Sequence, residues 1–231
     1  MRIQKVSSFM DYIDSKFQEF FTLDREISID EFVVKFKDKS SFITYNPKKP
    51  TKWGIRIYVL SDARTEYICA MLPYYRSIST NTLIRPNLPV SSRIILQLYH
   101  RLLTANPEAK GHHIFTDRYL IEILLAQELL KLSCYLTGTI STNRKYVPAV
   151  IIHGKIQLDI LLLAWKDKRI VTILSSYDAL GTTTIERRMK QAGTVNIIKP
   201  NVIINYNMNT GGVDKADQLA SSYCFMRKPC K

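Results

Sequence analysis

"GHHIFTDRYLIEILLAQELLKLSCYLTGTI" runs from Gly111 to Ile140, and it settles the fold class. "GHHIFTD" reads as a short buried strand ending at Asp117. "LIEILLAQELLKLS" repeats its apolar residues at helical spacing, and "CYLTGTI" reads as the next strand. A strand, a helix and a strand in succession imply a parallel pairing, because the helix carries the chain back to the starting edge. The expected class is therefore α/β, a mixed sheet flanked by helices.

Ahead of this stretch, "PVSSRIILQLYHRLLT" places Val90, Ile94, Ile95, Leu98, Tyr99, Leu102 and Leu103 on one stripe. That predicts an amphipathic helix, with Pro89 and serines near its start and Asn106-Pro107 after its end. "GIRIYVLSD" is apolar on both faces, the mark of a strand inside a covered sheet. It ends at Asp62 and is followed by a turn and "EYICAMLPYY", a hairpin pattern. Earlier still, "SFMDYIDSKFQEFF" reads as a helix and "REISIDEFVVKFKDKSSFITYNPKKPTKW" as extended chain. Past Ser141 the pattern is basic, turn-rich and β-rich. The expected division is 1–50 as a helical and extended lead-in, 51–142 as the first part of the core, 143–199 as a small inserted β-rich module, and 200–231 as the truncated final part of the core.

The chain has 231 residues and a net charge of +13. Residues 1–31 carry four Lys or Arg against seven Asp or Glu, so the whole excess lies in the remainder. A basic body suits a polyanionic partner, most simply nucleic acid. No stretch reaches the roughly 18 apolar residues of a membrane span, and no secretory leader is visible, so an intracellular protein without a membrane partner is expected. Cys69, Cys134, Cys224 and Cys230 follow no zinc-like spacing and read as reduced thiols.

Two strands end in aspartate, Asp62 in "YVLSD" and Asp117 in "IFTD". Ligands of α/β sheets gather at the carboxyl ends of strands. A third acid at a helix start, Asp214 in "NTGGVDKADQ", could complete an oxygen cage for Mg²⁺ or Mn²⁺, with Asp217 almost one turn on. A plainer reading stands beside it. An aspartate at a strand end forms a turn with nearby N–H groups, and one in a first helical turn caps the helix. Asp30-Glu31 in "ISIDEF" could add acid to the site, but reads first as an exposed strand-edge pair. His112-His113 lacks a third ligand and reads as solvent-facing or loop. "WKDKR", residues 165–169, reads as a turn with a packed indole. Lys145, Arg144, Lys166, Lys168 and Arg169 are candidate DNA contacts.

Five stretches in order resemble the transposase domain of the piggyBac family and its domesticated derivatives. They are "REISIDEFVVKFKDKSSFITYNPKKPTKWGIRIYVLSD", "FTDRY…LAQELL…CYLTGTISTNRKYVP", "LLAWKDKRIVTILSS", "VIINYN" and "GGVDKADQLASSYCFMRKPCK". The resemblance covers nearly the whole chain. It implies a ribonuclease H-like mixed sheet with a late insertion, and a catalytic set of three aspartates matched to Asp62, Asp117 and Asp214, with Asp217 as a supporting acid. It further implies a two-metal Mg²⁺ or Mn²⁺ site, cleavage and transfer of transposon-end DNA at TTAA targets, a nuclear location, and a homodimer in intact relatives. After "TDRY" the family carries a small polar pair, where Leu120, Ile121 and Glu122 stand here. The cysteine-rich tail of many members has no counterpart before Lys231, so a truncated or inactive derivative is expected. The alternative is a domesticated, non-catalytic DNA-binding or chromatin-interaction protein.

Overall fold

The computed structural model describes residues 4–36, 41–47, 49, 51–147, 155–157, 160–189 and 193–222. Along the chain come α1 (Gln4–Phe20), β1 (Glu26–Lys35), β2 (Thr44–Tyr45), β3 (Trp53–Asp62), β4 (Ile68–Pro73), α2 (Ser77–Thr82) and α3 (Val90–Ala105). Then follow β5 (His113–Thr116), α4 (Ile123–Leu130), β6 (Tyr135–Thr139), β7 (Lys155–Gln157), β8 (Ile160–Lys166) and β9 (Ile170–Ser175). Last come β10 (Thr182–Met189), β11 (Gly193–Pro200), α5 (Asn201–Asn209) and α6 (Gly212–Ser222).

Among the described residues nine strands form one mixed sheet in the order β2-β3-β1-β5-β6-β9-β8-β7, with β4 also paired to β3. β5 and β6 are parallel with α4 between them, as the strand–helix–strand pattern requires, and β3 and β4 form the expected antiparallel hairpin. Side chains alternate across the sheet. One face carries Ile27, Ile29, Leu60, Ile114, Leu136, Leu162 and Leu174 in a single core with the α3 and α4 residues Ile94, Ile95, Leu98, Leu125 and Leu129. The other face is held by α5, where Val202 and Ile203 pack on Leu161 and Ile173. Successive residues Leu161 and Leu162 thus serve opposite cores, so β8 must be covered on both sides. α1 is tied to the first face by a buried carboxylate: Asp14 accepts from Met71 N–H at 3.0 Å and from Arg101 at 2.8 Å.

Two expected boundaries shift. Residues 26–35 are not a lead-in. They form β1, which lies between β3 (antiparallel) and β5 (parallel) in the middle of the sheet. Nor is 143–199 a separate module, since β8 and β9 continue the main sheet through β6. Among the described residues only β10 and β11 form a sheet of their own. β-rich composition shows that a segment pairs, not with which sheet. Cys69 and Cys134 are buried free thiols, while Cys224, Cys230 and the end of the chain lie outside the described residues.

Candidate active site

The register of three strands fixes which aspartates meet. Ile27 of β1 stands opposite Asp62 of β3 on one side and beside Ile114 of β5 on the other. β3 runs antiparallel to β1, so its carboxyl end lies at the amino end of β1 and β5. Asp117 lies three residues beyond Ile114, about 10 Å further along, and two strand spacings, about 10 Å, away from β3. Asp62 therefore stands at the wrong edge to join Asp117. Its carboxylate is also fully engaged. Oδ1 accepts from Arg64 N–H at 3.0 Å, Thr65 N–H at 2.6 Å and Thr65 Oγ1 at 2.8 Å, and Oδ2 accepts from Asp24 N–H at 3.2 Å. With no exposed surface, Asp62 is a buried turn-former, the plainer of its two readings.

Asp30 takes the place expected of Asp62. Ile29 pairs with Thr116 in the parallel ladder, so Asp30 and Asp117 follow at one level on adjacent strands. Ile27 and Ile29 enter the core, so Ser28 and Asp30 point to the opposite face, as does Asp117 directly after β5. Asp117 keeps a turn as well: its Oδ1 accepts from Tyr119 N–H at 2.9 Å and from Leu120 N–H at 3.3 Å. Burial, together with the charges of Glu31 and Asp117, pushes the Asp30 carboxyl up to about 8, against the pull of Glu31 N–H and Lys49. The Asp30-Glu31 pair is thus no exposed edge. It is half-buried on a central strand, and Glu31 turns toward Arg56 and Tyr58 on the other face.

α6 brings the next acid. Its first residue lies so close to β1 and β3 that a Cβ on Gly212 would meet Ser61 Oγ at 3.0 Å, Asp62 O at 3.1 Å and Ser28 Cβ at 3.3 Å. Just ahead of it, Ser28 Oγ donates to Thr210 O at 3.2 Å. The glycine is what lets the helix start against the sheet. Asp214 then stands in the first turn, with one oxygen 3.5 Å from Lys49 Nζ, and Lys49 Nζ donates to Glu31 O at 3.0 Å. Asp217 follows on the same side of the helix, half-buried. Among the described residues no three acidic, imidazole or thiol groups are yet close enough to grip an ion. The donor chemistry nonetheless fits a hard divalent cation: carboxylates offered on one side of the sheet by β1, the residue after β5 and α6, with an ammonium beside them.

The loop after Asp117 is braced by a residue expected to touch DNA. Arg144 bonds Glu122 at 3.0 Å, Arg118 O at 3.2 Å and Tyr119 O at 2.6 Å, so its guanidinium is occupied. Glu122 also accepts from Ser91 and Ser92 at 3.0 and 3.2 Å, which ties the loop to α3. Leu120 and Ile121, in place of a polar pair, are fully buried. Lys166, Lys168 and Arg169 are exposed at the β8–β9 turn, and the Lys145 ammonium lies 5.0 Å over the Tyr146 ring. His112 and His113 are buried, contrary to the solvent-facing expectation. His113 Nε2 is hydrogen-bonded to Thr137 Oγ1 at 2.7 Å in a network with Ser175 and Asp178.

A family model described as transposase IS4 matches residues 1–231. The chain belongs to that family. Within it the chain is piggyBac-type: it is 22% identical over 239 aligned residues to human PiggyBac transposable element-derived protein 3, covering 96% of this chain and 39% of that protein. The cryo-EM structure of piggyBac transposase in a synaptic complex with hairpin DNA shares the fold, with a TM-score of 0.76 and 24% identity over 94% of this chain and 44% of that one. The chain thus spans about two fifths of the length of these relatives, and the ribonuclease H-like class holds. No helix among the described residues is long and apolar enough to cross a membrane.

Proposed function

We propose that this chain is the catalytic core of a piggyBac-type DNA transposase, cutting and joining DNA strands at TTAA sites, with Asp30, Asp117 and Asp214 as its acids and Asp217 in support. The observation that carries this reading is the placement of Asp30 and Asp117 at one level on adjacent parallel strands, with α6 bringing Asp214 over β1. These carboxylates would hold Mg²⁺ or Mn²⁺, which when bound supplies charge stabilisation for the attacking and leaving oxygens of a phosphodiester. The protein's own part is to fix the acids. Thr116 Oγ1 donates to Ile29 O at 2.9 Å and locks the two strands in register just ahead of them. Asp117 is steadied by its turn, and the Arg144 brace holds that turn in place. DNA is the proposed substrate, as in the synaptic complex of the structural relative. A nuclear location and a homodimeric assembly are part of the same proposal.

The test compares Asp30→Asn with Asp62→Asn. Mn²⁺ should raise the melting temperature of the wild type and of Asp62→Asn, and should leave Asp30→Asn unmoved. Metal-dependent nicking of a TTAA-containing duplex should follow the same division. Protection lost in Asp62→Asn but kept in Asp30→Asn would return the first acid to β3 and overturn the assignment. A chain that binds DNA but neither takes up Mn²⁺ nor nicks would instead be the non-catalytic DNA-binding derivative.

A further inference from the structure

Lys49 reaches the acids from a backbone position that is itself hydrogen-bonded. Its N–H donates to Asn46 O at 3.2 Å, and Asn46 N–H donates to Lys52 O at 2.7 Å. The Asn46 side chain is hydrogen-bonded by the guanidinium of Arg56, which anchors Asn46 to β3. From this base the Lys49 ammonium donates to Glu31 O at 3.0 Å and stands 3.5 Å from Asp214 Oδ1. Burial of Lys49 disfavours its charge, but the carboxylates of Asp30, Asp214 and Glu31 more than offset that. Lys49 is 27% exposed and Asp214 62%, so the ion pair opens to solvent on the helix side and the ammonium has a way out.

We propose that Lys49 is a positioning residue whose ammonium holds Asp214 over β1 in the metal-free protein and competes with the divalent ion for the same carboxylates. This inference rests on the acid set proposed above. Two cations cannot share so small a group of carboxylates without strong repulsion, so ion binding must displace the ammonium. The protein would then be kept in order before it is loaded, at some loss of metal affinity. A purely structural lysine predicts the opposite sign: removing it would loosen the acids and weaken metal binding.

The experiment measures Mn²⁺ binding by titration calorimetry at low ionic strength and metal-free melting by circular dichroism. It uses wild type, Lys49→Met and Lys49→Arg. Lys49→Met should bind Mn²⁺ about tenfold more tightly, the scale expected for removing one half-exposed charge. It should also melt at a lower temperature without metal. Lys49→Arg, which keeps the charge, should stay near wild type in both. Unchanged or weaker Mn²⁺ binding in Lys49→Met overturns the proposal. Asp30→Asn, run alongside, separates the two levels. If it still binds Mn²⁺ as the wild type does, the acid set is wrong; if it does not and Lys49→Met binds no tighter, only the role of Lys49 is.

Discussion

Among single residues, two aspartates with the same local signature have opposite fates. "ISID" and "VLSD" each close an apolar alternation with an acid, yet Asp62 is saturated by its own turn and Asp30 faces a helix across the sheet. Removing the Asp62 carboxylate would strand buried N–H groups, so its worth is structural. A third buried polar residue gives a testable pH signature. Burial pushes His113 down to about 4, Arg25 adding to the effect and Asp178 opposing it. Between about 6.5, the ordinary histidine value, and 4, the unfolded chain binds a proton that the folded one refuses. His113 therefore permits full stability above 6.5, and stability is lost as pH falls toward 4. The full loss is about 3 kcal/mol for a shift of that size. Asp30, pushed up to about 8, works the other way and gains stability as pH falls through the same range, so the test must be a difference. His113→Gln should show a flatter fall in urea midpoint from pH 7 to pH 4.5 than wild type. Identical curves would rule out the histidine as the source of the pH dependence. None of this could be read from "HH" alone. Whether a histidine is buried depends on its strand being central, and that depends on partners far off in sequence.

Among the elements, the strand–helix–strand unit and the β3–β4 hairpin were legible because their contacts are local. β1 was not. Its neighbour β5 lies across a long stretch of chain, and composition is silent on such pairings. That pairing is what moves residues 26–35 into the middle of the sheet and puts Asp30, the first acid of the proposed set, beside Asp117. The direction of β3 was equally hidden, and a strand-end aspartate reaches a shared site only if the strands run the same way. A usable signal did exist: "EISIDEF" alternates Ile27 and Ile29 against Ser28 and Asp30, as a sheet strand with one greasy face should. The β5–β6 pair makes a sharp prediction. A Cβ on Gly138 would stand 2.3 Å from Thr116 O, which is backbone, and 2.8 Å from Ile121 Cδ1. Gly138→Val must push β6 off β5 beside Asp117. It should cost about 3 kcal/mol, at the upper end for overpacking, and lower the melting temperature accordingly. Mn²⁺ protection should shrink as well, because Thr116 sets the level of Asp117. A variant melting like wild type would mean that the two strands are not so closely apposed.

Across the whole molecule, the sheet's direction brings its basic features to the side of the acids. Thr139 of β6 pairs with Ile173 of β9, so the β8–β9 turn extends past the level of Asp117 by several residues, roughly 15 Å. Lys166, Lys168 and Arg169 cluster there. Arg187 of β10 grips Asp167 in that turn at 2.8 and 3.0 Å, which couples the β10–β11 hairpin to it and occupies the acid that sits within the cluster. A duplex lying across the acids would meet this tip. Each neutralised phosphate releases counterions, so log K against log salt becomes shallower by about 0.9 for every phosphate charge left unneutralised. The triple change Lys166→Ala, Lys168→Ala and Arg169→Ala should therefore flatten the slope by about 3, with weaker binding at low salt and little change in melting temperature. Arg144→Ala should behave differently, because its guanidinium braces the Asp117 loop: stability and Mn²⁺ protection should drop while the salt slope holds. Equal slopes for the triple variant and wild type would move the DNA path off this edge. A flattened slope in Arg144→Ala would show that its guanidinium reaches phosphate after all.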